Sequence, residues 1–165
     1  MKWTVALFND HPAGYVSNFR LDIEFLRSIE STPHNERTMG QRDSKDLKVL
    51  LVDDFDDTRL FLRLALEDHG FIVFEADNGE TAVQNALREH PDVILMDLTM
   101  PLMDGFAATK LIRQNEDFKH VPIIAITAHQ ETDFRSDAKA SGFDAYVTKP
   151  IDVNFLKDLI DGLLI

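Results

Sequence analysis

No cysteine occurs in the 165 residues, so disulfides, thiolate metal sites and thiol catalysis are excluded. That fits a reducing compartment. Long apolar runs are missing near the N-terminus as well. The stretch from Trp3 to Phe8 is closed by Asn9, Asp10, His11 and Pro12, too short for a signal-peptide core or a membrane span. The chain therefore reads as soluble and cytoplasmic, with no membrane partner. Basic residues are scarce: 17 Lys and Arg stand against 29 Asp and Glu, a net charge of −12. The imbalance is uneven. Residues 1–46 hold six basic against seven acidic residues, and residues 47–165 hold 11 against 22. An acidic surface repels a phosphate backbone, which argues against nucleic-acid binding by the second part.

What is present points to one domain with an extension. The apolar share of 44% supports a real core, and the length exceeds a usual domain of about 100–150 residues only modestly. In residues 1–46, Trp3 to Phe8 suits a short strand. Phe19, Ile23, Phe25, Leu26 and Ile29 give partial helical periodicity, with Asn18 as an N-cap. Such an amphipathic helix packs on its own domain or on a partner. Ser31 to Lys45 is polar, with Pro33 and Gly40, and reads as a linker.

From Leu47 the pattern is regular. Apolar runs at Leu47–Val52, Phe71–Ala76, Val93–Asp97, Pro122–Thr127 and Ala145–Thr148 read as strands. Helical stretches alternate with them. The first is capped by Asp56 or Asp57, carries Leu60, Leu62, Leu64 and Leu66, and stops at Gly70. The others run from Gly79 to about His90 (cap Asn78), Gly105 to about Asn115 (cap Asp104), Thr132 to Ser141 (stop Gly142) and Val153 to Leu164 (cap Asp152). Strict alternation implies an α/β fold, a doubly wound parallel sheet with helices on both faces.

Parallel strands place their carboxyl ends on one edge, where open α/β sheets bind ligands. Asp53 and Asp54 end the first strand, Asp97 the third and Thr127 the fourth, and Lys149 follows the fifth. Each residue has an ordinary explanation: Asp53 and Asp54 as caps, Thr127 as a strand-end hydroxyl, Lys149 as a solvated lysine. Together they make a set. Crowded carboxylates resist ionising together, and a hard divalent cation such as Mg²⁺ resolves the repulsion with oxygen ligands. A carboxylate nucleophile, a metal, a lysine and a hydroxyl are the parts of phosphoryl transfer, which is mostly positioning and charge neutralisation.

Leu51-Val52-Asp53-Asp54, Met96-Asp97-Leu98-Thr99-Met100-Pro101-Leu102-Met103-Asp104-Gly105, Ile126-Thr127-Ala128 and Tyr146-Val147-Thr148-Lys149-Pro150 resemble the receiver domain of two-component response regulators. The resemblance spans residues 47–165, is closest in style to the chemotaxis regulators, and leaves residues 1–46 as an N-terminal extension. It implies a flavodoxin-like fold, a five-stranded parallel sheet of order 2-1-3-4-5. It implies that Asp97 is the phosphoacceptor, taking a phosphoryl group from a phosphohistidine of a histidine kinase or histidine phosphotransfer protein. Mg²⁺ would be held by Asp54, Asp97 and the backbone carbonyl of Thr99, with Asp53 acting through a water. Lys149 would pair with the phosphoryl group, Thr127 and Tyr146 would serve as switch residues, and the Lys149–Pro150 bond would be cis. Thr99 and His129 occupy the positions that tune phosphoryl lifetime; both are polar, which implies water access. Such a protein phosphorylates and dephosphorylates itself rather than turning over as an ordinary enzyme. Its phosphorylation switches the binding of a downstream protein.

Nothing follows Ile165, so a stand-alone receiver is expected, with homodimerisation left open. Three other readings compete. A degenerate receiver acting as a phosphorylation-independent scaffold is disfavoured because all five site residues are present. A haloacid-dehalogenase-like phosphatase is disfavoured because Thr99 stands where a second Asp is needed. A flavin binder is disfavoured by the acidic edge, a poor host for an anionic phosphate.

Overall fold

Continuous apolar runs become strands because the sheet covers them on both sides. The computed structural model describes residues 5–7, 47–128 and 133–164. In chain order the elements are β1 (Val5–Leu7), β2 (Lys48–Val52), α1 (Asp56–Asp68), β3 (Ile72–Ala76), α2 (Gly79–Glu89), β4 (Val93–Asp97), α3 (Gly105–Arg113), a 3-10 turn (Glu116–Phe118), β5 (Ile123–Thr127), α4 (Asp133–Ser141), β6 (Ala145–Thr148) and α5 (Val153–Leu163). Between Leu47 and Leu164 every expected strand and helix is found, with bounds shifted by at most about two residues, the usual uncertainty of element ends. The expected helix near Phe19–Ile29 and the linker from Ser31 to Lys45 lie outside the described residues.

The sheet order is β1-β6-β5-β4-β2-β3. Its five strands from β2 to β6 are parallel and take the expected order 2-1-3-4-5, counted among themselves. A sixth strand adds to this. β1 pairs antiparallel with β6, with Val5 opposite Val147, Ala6 opposite Tyr146 and Leu7 opposite Ala145. The short strand expected near Trp3 thus exists, and it covers the β6 edge of the sheet.

Successive residues of each strand face opposite layers. Leu50, Val52, Ile94, Met96 and Ala125 join Ala82, Ala86, Ala108 and Ile112 of α2 and α3 in one apolar layer. Val49, Leu51, Leu95, Ile124, Ile126 and Val147 join Leu62 and Leu66 of α1 and Leu156, Leu159 and Ile160 of α5 in the other. Only two of the four α1 leucines reach the core. Leu62 and Leu66 are buried, whereas Leu60 and Leu64 are about half exposed, at 48% and 54%. Four leucines at every second position cannot all face one layer of a helix that turns 100° per residue.

Local signals explain most boundaries. Asn78, Asp104 and Asp152 cap their helices by accepting from the amides of Thr81, Ala107 and Phe155. At α1 the expectation fails: Phe55 is the N-cap, without a side-chain cap, and Asp56 and Asp57 lie in the first turn. There they still favour the helix dipole. The helix ends as expected at Gly70, whose φ of 90° suits a residue without Cβ. The Gly70 amide meets the Glu67 carbonyl at 2.9 Å, and that of Phe71 meets the Leu66 carbonyl at 3.1 Å.

One staple joins the far end of the domain. The Arg113 guanidinium donates to the carbonyls of Gly142 (2.8 Å), Val121 (2.7 Å) and Phe118, and to Asp144 Oδ2 (2.6 Å). The same Asp144 oxygen accepts the Ile123 amide at 2.8 Å. Burial lowers the Arg113 pKa from its ordinary value, and Asp144 opposes that shift. An Arg113→Ala variant should lose about 2–3 kcal/mol of stability, because its partners are left half-desolvated without a donor. Urea unfolding of the variant beside wild type measures this; an unchanged midpoint would refute the staple.

Candidate functional site

The parallel topology carries the expected residues to one edge. Asp53 and Asp54 follow β2, Asp97 ends β4, Thr127 ends β5 and Lys149 follows β6. Asp53, Asp97 and Thr127 are buried, while Asp54 and Lys149 are half-buried. The Lys149 ammonium bridges two acids, 2.8 Å from Asp53 Oδ2 and 2.7 Å from Asp97 Oδ2. The remaining oxygens of these acids are held by backbone. Asp53 Oδ1 accepts the Phe55 amide at 2.9 Å, and Asp97 Oδ1 accepts the Thr99 amide at 3.1 Å. The Lys149 amide donates to the Thr127 carbonyl at 2.7 Å, so the ladder between β5 and β6 extends to the site. The Lys149–Pro150 bond is cis, as the resemblance implied.

Electrostatics follow from this crowding. Burial raises the Asp97 pKa above its ordinary value, against the hydrogen bonds from Lys149 and the Thr99 amide and the Lys149 charge, while Asp53 adds a smaller push upward. For Lys149, burial alone would lower the value. The hydrogen bonds and charges of Asp53 and Asp97 outweigh it, and the net shift is upward. The lysine is thus held as a cation.

One ammonium does not balance three carboxylates. One oxygen each of Asp53, Asp54 and Asp97 lies within 4.8 Å of the others. Asp54 Oδ1 is shut away from solvent with no hydrogen-bond partner among the described residues. A buried carboxylate oxygen without a partner is costly unless a cation or donor meets it. This all-oxygen donor set fits a hard divalent ion such as Mg²⁺.

A model of the response regulator receiver domain family matches residues 49–161. The chain belongs to this family. Among the relatives of this receiver, protein PilH of Pseudomonas aeruginosa is 38% identical over 118 residues, covering 71% of this chain and 97% of PilH. The chemotaxis protein CheY-3 of Vibrio cholerae is 35% identical over 121 residues, covering 73% of this chain and 93% of CheY-3. Among solved structures, the receiver domain of a sensor histidine kinase from Pseudomonas aeruginosa superimposes with a TM-score of 0.68 at 32% identity, covering 72% of this chain and 98% of that one. That structure holds a magnesium ion coordinated in its active-site cleft.

Around the acidic cluster of this receiver, the other singled-out residues fall unevenly. Thr99 is exposed two residues beyond Asp97. Tyr146 is buried in the apolar layer shared with Ala125 and Phe143. His129 lies outside the described residues. Among the described residues, no helix is long and apolar enough to cross a membrane.

Two residues take supporting roles at the site that the sequence alone does not assign. Arg59 Nη1 donates to the Asp53 carbonyl at 2.7 Å, and its guanidinium also meets Asp56 and, at 3.5 Å, Glu75. It anchors the turn that carries Asp53 and Asp54. The Asp56-to-Arg59 spacing was the available signal, since it places the pair on one helical face. Gly105 is the second. A Cβ there would lie 2.2 Å from the Asp97 carbonyl oxygen, so α3 starts directly against the backbone of Asp97.

Proposed function

We propose that residues 47–165 form a phosphoacceptor receiver that takes a phosphoryl group on Asp97 from the phosphohistidine of a histidine kinase or histidine phosphotransfer protein, with residues 1–46 as its extension. The observation that carries this is the Lys149 ammonium spanning Asp97 and Asp53 beside the unpartnered oxygen of Asp54. Mg²⁺, held by Asp54, Asp97 and the Thr99 carbonyl, with Asp53 acting through a water, would neutralise phosphoryl charge at this edge.

The chain's own groups then have definite tasks. An Asp97 carboxylate oxygen forms the new bond to phosphorus. The bond from phosphorus to the donor imidazole nitrogen breaks, and its electron pair stays on that nitrogen. Lys149 stays charged and pairs with the transferred group. Thr127, at the next strand end, donates to a phosphoryl oxygen. Because these residues meet the phosphorylated and free acids differently, phosphorylation biases a two-state equilibrium that includes Tyr146. The altered face then binds a downstream protein in the cytoplasm. Thr99 and His129, polar residues two positions after Asp97 and Thr127 in the sequence, would leave the acyl phosphate open to water and so limit its lifetime.

Incubation with a small phosphodonor such as acetyl phosphate, read on a phosphate-affinity gel, tests this directly. Uptake should occur with Mg²⁺ and fall to background when a chelator is present. No uptake by the folded protein from either a small donor or a phosphohistidine protein would favour the phosphorylation-independent scaffold instead.

A further inference from the structure

The sixth strand is not explained by the phosphoryl site, yet it lies against the strand that leads there. β6 carries Tyr146 opposite Ala6 and Val147 opposite Val5 on one edge. On its other edge the same residues face Ala125 and Ile126 of β5. Two residues after Val147 comes Lys149, whose amide holds the Thr127 carbonyl and whose ammonium holds Asp53 and Asp97. β1 therefore makes an interior strand of what would otherwise be a sheet edge, immediately before the lysine that meets the phosphoryl group.

We propose that pairing of β1 with β6 and occupancy of the phosphoryl site are thermodynamically coupled through β6, so that the N-terminal extension regulates the receiver. This rests on the phosphoacceptor reading of Asp97. The physical basis is ordering. A strand bonded on both edges opens less often than an edge strand. Lys149 must be fixed to hold the phosphoryl group, and fixing backbone costs entropy. With β1 in place, part of that ordering is present beforehand, and ligand binding loses less entropy. The coupling is therefore positive. By reciprocity, an occupied site strengthens the β1 pairing by the same factor.

The length of the extension suits this role. β1 lies four strand positions from β2, about 19 Å across the sheet at ~4.8 Å per strand. The contour length alone of the 40 residues from 8 to 47 exceeds that span several times over, so the number of residues between β1 and β2 does not by itself tie β1 to its edge.

The test uses the full chain with beryllium fluoride and Mg²⁺ as an acyl-phosphate mimic. Adjacent residues of an antiparallel strand point their amides in opposite directions, so one of Val5→Pro and Ala6→Pro removes a bond to β6 and the other does not. Hydrogen exchange at residues 5–7 identifies which variant is disrupted. Calorimetric titration should show that variant binding the mimic about 5-fold more weakly or worse, at the lower end of typical couplings, while the other binds like wild type. In wild type, which needs no substitution, the mimic should slow exchange at residues 5–7 and 145–148. Unchanged affinity in the disrupted variant, tighter binding by it, or no slowing in wild type would each overturn the coupling while leaving the receiver reading intact. A wild-type protein that does not bind the mimic at all would remove that reading and the coupling with it.

Discussion

Asp97→Asn should abolish phosphate uptake while leaving the fold in place. The amide has no nucleophilic oxygen of comparable strength, and no other described carboxylate combines the Lys149 contact with the position at the end of β4. Gel shift of the variant beside wild type measures this, and equal uptake would show that another group accepts the phosphoryl. A second readout comes from pH. In chelator, the raised Asp97 pKa means that the folded state holds its proton above the ordinary value of 3.8. Between that value and the folded one, the folded state binds more protons than the unfolded chain, so this group's contribution to stability falls as pH rises. Wild type should therefore gain stability relative to Asp97→Asn as pH is lowered from 7 through the folded value. Lys149 does not interfere in this window. Its raised pKa contributes stability that is fully present below 10.5 and is lost only as pH rises through its folded value. Urea unfolding of both proteins at several pH values supplies the comparison.

Gly105→Ala should destabilise the domain by about 3 kcal/mol or more, at the upper end of overpacking effects. The added Cβ would meet the Asp97 carbonyl oxygen at 2.2 Å and the Leu98 Cα at 3.0 Å, both backbone atoms that cannot swing aside. Either α3 shifts outward, or the end of β4 moves and takes Asp97 with it. Marginal stability makes such a loss large against a total of about 5–15 kcal/mol. A thermal melt gives the first effect, and Mg²⁺ titration of the still-folded fraction gives the second. A variant with wild-type melting and metal affinity would show that the turn has more slack than its contacts imply.

How far the chain could be read in advance depended on the range of each interaction. The strands from β2 to β6 were legible because parallel strands buried on both faces leave uninterrupted apolar runs such as Val93 to Met96. Asn78, Asp104 and Asp152 were legible as caps because capping acts over two or three residues. Convergence of Asp53, Asp54, Asp97, Thr127 and Lys149 on one edge followed from topology alone. At α1 the sequence shows four apolar positions, but not which two of them meet the sheet. Asp56 and Asp57 read as caps because the sequence does not show that the Asp53 carboxylate already takes the Phe55 amide. The Arg113 staple was invisible for another reason. Its partners Gly142 and Asp144 lie 29 and 31 residues away, and nothing local marks the pairing. The partner of β1 was equally hidden, since pairing across more than a hundred residues leaves no local signature.

The place of β1 has an optical consequence. The chain has a single tryptophan, Trp3, two residues ahead of that strand, and residues 47–165 contain none. Light absorbed at the red edge of the protein spectrum is therefore taken up almost wholly within the extension. Emission from the unmodified protein becomes a selective gauge of what surrounds its first few residues, free of background from the domain that would carry the phosphoryl group. A titration followed by fluorescence alone could then watch one end of the chain respond to chemistry at the other, with no dye attached.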